Sequence, residues 1–104
     1  MKHYFFRLIS PRPSFPADMT PAEAALMREH GAYWSGLIAQ GLAHAVGPVF
    51  DPKGPYGIAI ASLDDAADPQ AVGAADPVIK AGIGFRYEVL PMPSLLLPQK
   101  PAGG

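Results

Sequence analysis

The chain has no cysteine. That excludes disulfides, thiolate zinc sites, iron–sulfur clusters and cysteine nucleophiles. Charge is scarce as well. Only 16% of the 104 residues are Asp, Glu, Lys or Arg, against about 25% in typical domains. With so little surface reserved for water, some apolar surface is expected to meet another chain. Eight Lys and Arg stand against nine Asp and Glu, a net charge of −1, and the basic residues form no cluster. Nothing draws in a phosphate backbone, so nucleic acid is not an expected partner. No apolar run approaches the roughly 20 residues of a membrane span. The basic-then-apolar start, Met1 to Ile9, is interrupted by Arg7 and followed by no small-residue cleavage site, so it reads as a strand rather than an export signal. Gly82-Ile83-Gly84 lacks the third glycine and the following helix of a phosphate loop, so no nucleotide cofactor is implied. There are no internal repeats. These absences leave one small domain with one core, expected to be cytoplasmic and to need no cofactor.

What is present is a clear succession of elements. Residues 3–9 are aromatic and β-branched, as in a strand. The prolines of Ser10 to Pro16 then break regular structure. Thr20-Pro21-Ala22-Glu23 combines an N-cap, a proline at the first helical position and a capping box. The helix is expected to run to about Gln40 and to stop at Gly41. Its apolar stripe comprises Leu26, His30, Tyr33, Trp34, Leu37 and Ile38. Residues 42–46 read as a second strand ended by Gly47-Pro48, and Tyr56 to Ser62 as a third. Asp68-Pro69 starts a short helix to about Ala75, and Asp76-Pro77 starts one more turn, ended by Gly82. Phe85 to Val89 alternates as a fourth strand. The domain is assigned to residues 1–91, and residues 92–104 to a Pro-rich tail, either disordered or laid on a surface.

The order β-α-β-β-α-β predicts an α+β, ferredoxin-like fold, with one four-stranded antiparallel sheet and both helices on one face. The other face has no cover of its own. Yet Ile58-Ala59-Ile60-Ala61 is apolar on both sides, and β1 sets Phe5 and Ile9 opposite Tyr4, Phe6 and Leu8. Sheets solvated on one face alternate apolar with polar residues. A second copy of the chain, docked face to face, is the expected partner.

The combination of residues resembles the YCII-related domain proteins of the dimeric α+β-barrel group. The helix carries Arg28-Glu29-His30 and then Tyr33, and Gly41 closes it. Gly47-Pro48, Gly57-Ile58-Ala59-Ile60, the block Ala74 to Gly82 around Asp76-Pro77, and a last strand from Phe85 to Leu90 follow. The likeness spans roughly residues 2–91. It implies dimerisation through the sheets and a cleft in which the helical histidine and the Asp-Pro aspartate form a catalytic dyad. Those positions fall on His30 and Asp76 here. The family is similar in fold to muconolactone isomerases, and one branch is linked to dehalogenation of a chlorinated lactone. The sequence departs from the family pattern in a second helix shortened by Asp68-Pro69 and in the proline-rich tail.

His30, an ionisable ring on an apolar stripe, is open to two readings: a core histidine bonded to backbone or to Tyr33, or a general base with one nitrogen free for substrate. Asp76 is open to two as well, since a carboxylate has acceptor sites enough to cap a helix and hold an imidazole together. No serine lies in a recognisable nucleophile setting, and Ser35 faces away from His30. A His-Asp pair without a nucleophile favours proton transfer, such as elimination or isomerisation, over acyl transfer; the resemblance implies a small organic acid or lactone as substrate and adds dehalogenation. The residues expected around such a substrate are Arg7, Tyr33, His44, Gly47 and Pro48. Arg7 has an alternative as an ion pair with Glu88 across the sheet. His3, His30 and His44 show no metal-ligand spacing, so no metal is expected. The competing function is a non-catalytic module that binds a small ligand or serves as an accessory, and the third is pure assembly.

Overall fold

The computed structural model describes residues 1–98. In chain order the elements are β1 (Lys2–Ile9), α1 (Pro21–Ala39), β2 (Ala43–Val49), β3 (Tyr56–Leu63), α2 (Pro69–Ala74), α3 (Pro77–Lys80) and β4 (Arg86–Met92). The strands form one antiparallel sheet in the order β2-β3-β1-β4. This is the expected α+β arrangement, with the second helical stretch broken in two.

Local chemistry explains the boundaries. Thr20 Oγ1 accepts from the Glu23 backbone N–H while Glu23 accepts from the Thr20 N–H, a complete capping box. Gly41, at φ +77°, turns the chain out of α1 through a left-handed conformation that suits glycine. Asp68 caps α2 and Asp76 caps α3, each ahead of a proline. Pro77 has no N–H to offer the Gly73 carbonyl, so α2 cannot run on into α3.

Phe6 and Leu8 of β1 point to the helices. Phe6, Trp34, Ala43, Ala59, Ala61 and Leu63 make one core cluster; Leu8, Phe15, Val78 and Phe85 make a second, under the 10–19 loop and α3. The other face carries Phe5, Arg7 and Ile9 of β1. In register beside them lie Ile60 and Ile58 of β3, and Leu90, Glu88 and Arg86 of β4. Leu90 is 56% exposed.

Four boundaries or placements differ from the expectation. Gly47-Pro48 does not end β2 but pairs with Ile58 and Gly57. Likewise β4 begins at Arg86 and runs on to Met92, with Pro91 opposite Tyr4. Both prolines sit on edge strands, where a missing N–H breaks no ladder on the open side. His44 forms the irregular position of β2, where the register shifts between Ala43 and Ala45. Ile38 lies at the margin of the apolar stripe and is 45% exposed, while Met27 packs inward beside Leu26. Residues 93–98 are neither helix nor strand, and the remainder of the expected tail, residues 99–104, lies outside the described residues. Among the described residues no helix is long and apolar enough to cross a membrane.

Candidate functional site

Asp76 is wholly buried, which an ionised carboxylate tolerates only when its oxygens are partnered. Its Oδ1 accepts from the Val78 N–H at 3.0 Å, the helix cap. Its Oδ2 lies 2.7 Å from His30 Nδ1, 2.6 Å from the donating Tyr87 hydroxyl and 3.0 Å from Trp34 Nε1. Trp34 Nε1 also lies 2.9 Å from the Tyr87 oxygen, so its one hydrogen is shared. Burial by itself would raise the pKa of this carboxyl. The hydrogen bonds from His30, Tyr87 and Val78 outweigh it and hold Asp76 below the ordinary aspartate value. Burial, reinforced by the Asp76 carboxylate, pushes the Tyr87 hydroxyl well above the usual phenol range. Burial first and the Asp76 charge second push Tyr33 upward as well.

An ionised carboxylate only accepts hydrogen bonds. Nδ1 of His30 therefore carries the hydrogen, and Nε2 is the nitrogen left for a ligand. The ring is 17% exposed and lines a pocket of about 340 Å³ between α1, the 10–19 loop and the sheet. Phe15, Met19, Met27 and Phe85 form its apolar walls, and Gly47, Pro48 and Phe50 border the β2 side.

Of the residues singled out from sequence, the structure brings His30 and Asp76 together and puts Gly47 and Pro48 on the same pocket. Tyr33, Arg7 and His44 lie elsewhere. Tyr33 donates its hydroxyl to the Val72 carbonyl at 2.6 Å and ties α1 to α2. Arg7, on the opposite sheet face, lies 4.6 Å from the Tyr56 ring centre and 3.9 Å from Glu88. His44 reaches Ser62 Oγ at 2.7 Å, and His3 reaches the same oxygen at 2.6 Å. A serine has one hydrogen, so of two neutral rings one accepts and the other donates.

Sequence reasoning placed Trp34 and Tyr87 in the core or a strand and did not see them as donors to Asp76. The available signal was their polar tips, which need a partner once the rings are buried. Nothing local marks Ser62 as the meeting point of two imidazoles. The sequence marks Ser10 to Pro16 only as a break in regular structure, but the loop Ser10 to Met19 has a fixed shape. It is clasped by Arg12, which pairs with both Glu23 oxygens at 2.7 Å and with Asp18 at 2.9 Å. Arg12 and the Thr20 N–H hold the Glu23 carboxyl down at about 2.

The family described as the YCII-related domain matches residues 4–93, most of the chain. No curated protein matches it.

Proposed function

The chain belongs to the YCII-related domain family, and from that premise we propose that it works as a homodimeric enzyme in which His30, oriented by Asp76, moves a proton on a small organic acid or lactone held in the adjoining pocket. One observation carries the reading. A buried, hydrogen-bonded carboxylate contacts Nδ1 of a histidine whose ring also faces a pocket of small-molecule size.

The chemistry follows from that contact. Nε2 takes a proton from a substrate carbon or hydroxyl, and the imidazolium that forms is stabilised by Asp76 through Nδ1–H. In an isomerisation the proton returns to a different carbon. In an elimination or dehalogenation the electron pair left behind forms a double bond and expels the leaving group. Neither route calls for a nucleophilic side chain. The test is turnover by His30→Asn on a substrate found by screening lactones and small carboxylates. A loss of about 100-fold or more, with fold and assembly unchanged, supports the reading. Full activity refutes it.

A non-catalytic ligand-binding module is the second reading. It is favoured by the complete structural role of Asp76, which caps α3 and receives Trp34 and Tyr87 whether or not His30 reacts. It predicts binding without turnover. The homodimer is supported by the apolar face of Phe5, Ile58, Ile60 and Leu90, which both helical stretches leave bare. Light scattering tests it, and a stable folded monomer counts against it.

A further inference from the structure

We infer that the pocket beside His30 takes an uncharged, largely apolar ring compound that presents one polar group to His30, and that it discriminates against carboxylates. The inference rests on reading this pocket as the ligand site and narrows the choice between acid and lactone left open above.

The lining decides the matter. Among the described residues, none of the side chains around the pocket is Lys, Arg, Asp or Glu. Three of its residues, Pro16, Pro48 and Pro55, have no backbone N–H to offer an anion. Trp34 and Tyr87 reach the lining, but their donors are engaged with Asp76. That leaves His30 and the Ser10 oxygen, whose hydrogen goes to the Arg12 carbonyl, since the Tyr56 ring lies under Arg7 on the opposite sheet face.

Two arginines pack against rings of lining residues: one is held by carboxylates, and the other lies on the opposite sheet face. Arg12 lies 5.7 Å from the Phe15 ring centre with its guanidinium held by Glu23 and Asp18. Arg7 stacks on Tyr56 beside Glu88. The nearest fixed charge behind His30 is the buried Asp76 carboxylate, which repels an anion. A carboxylate moved into such a place loses its hydration and finds no cation in return. An uncharged ring loses little and gains contact with Phe15, Met27 and Phe85. The volume, about 340 Å³, lies at the small end of the range for ligand sites, roughly 300–1,000 Å³. Phe50, 77% exposed, adds an apolar edge to the lining.

Residues 93–98 leave the sheet from Met92, beside His3, and none of them lines the pocket, which lies toward the Leu8, Gly57 and Phe85 end.

Trp34 is the sole tryptophan and lines the pocket, so its fluorescence reports occupancy. Benzamide and benzoate have nearly the same shape and differ in charge. Titrated at pH 8 and fixed ionic strength, benzamide is expected to bind at least tenfold more tightly, a difference of about 1.4 kcal/mol. Met27→Lys, which puts an ammonium in the lining, is expected to bring benzoate to parity or better, and Met19→Lys serves as an independent second variant. Benzoate binding as well as benzamide to the unaltered protein overturns the inference. So does a Trp34 signal that neither probe changes up to its solubility limit, or benzoate binding that Arg7→Ala abolishes. The outcome is separable from the dyad. His30→Asn should stop turnover yet keep the preference for benzamide, so retained turnover would sink the acid–base reading alone.

Discussion

Asp76→Asn tests the centre of this protein with almost no change of shape. The carboxylate accepts His30, Trp34 and Tyr87 on one oxygen and the Val78 N–H on the other. An amide has one oxygen for these two sides. If the oxygen faces the three side chains, the NH₂ group meets the Val78 N–H and the α3 cap is lost, at about 0.5–2 kcal/mol. The reverse orientation sets the NH₂ group against three donors. In either case the charge is gone, and bonds to charged groups, about 1.5–3 kcal/mol each, fall toward the neutral value of about 0.5–1.5. Together the loss is about 3–5 kcal/mol, the usual range for breaking a buried charged network. That is a fifth or more of the stability of an ordinary small domain, about 5–15 kcal/mol. It corresponds to a fall in Tm of at least about 12 °C for a chain of this size.

Urea unfolding followed by Trp34 fluorescence measures the loss, and its pH dependence adds a second check. The folded-state pKa of Asp76 is depressed by the hydrogen bonds from His30, Tyr87 and Val78, which outweigh burial. Its contribution is therefore present above the unfolded aspartate value, about 4, and is lost as pH falls through the folded value. The difference between wild type and variant should shrink below about pH 4. A loss smaller than about 1 kcal/mol at neutral pH would refute the reasoning, because it would reduce Asp76 to an ordinary helix cap.

Tyr87→Phe removes one donor to Asp76 and one partner of Trp34 and should cost about 1–2 kcal/mol by chemical denaturation. Gly73→Ala places a Cβ 3.1 Å from Tyr87 Cδ2. Overpacking of about 1–3 kcal/mol should exceed the roughly 0.5–1 kcal/mol that alanine gains in the helix and so lower Tm. Arg12→Ala should speed amide exchange at Phe15 and Met19 without affecting β1, and should let the Glu23 carboxyl, held at about 2, titrate nearer the ordinary range by NMR. Leu90→Glu, on the bare sheet face, should give a folded monomer by light scattering and circular dichroism.

Much of the fold could be read directly from local chemistry. The capping box at Thr20, the stop at Gly41 and the two Asp-Pro starts act within a single turn, so their residues suffice to place them. The alternation of β1 sorted Phe6 and Leu8 from Phe5 and Arg7 in the same way. Pro48 and Pro91 were misjudged because a proline's place in a strand depends on whether that strand is an edge, which the order β2-β3-β1-β4 decides. The site divides along the same line. His30 stood out as an ionisable ring on an apolar stripe, and Asp76 as a cap with spare acceptor sites. Their 2.7 Å contact, the convergence of Trp34 and Tyr87 on one oxygen, and the charge-free pocket beside them join α1, α3, β4 and the 10–19 loop. The sequence by itself determined where each helix starts and stops and which face β1 buries, because those preferences are set by neighbours along the chain. Only the tertiary structure decided which side chains meet and what space they leave, because that follows from strand order, register and the packing of the whole core.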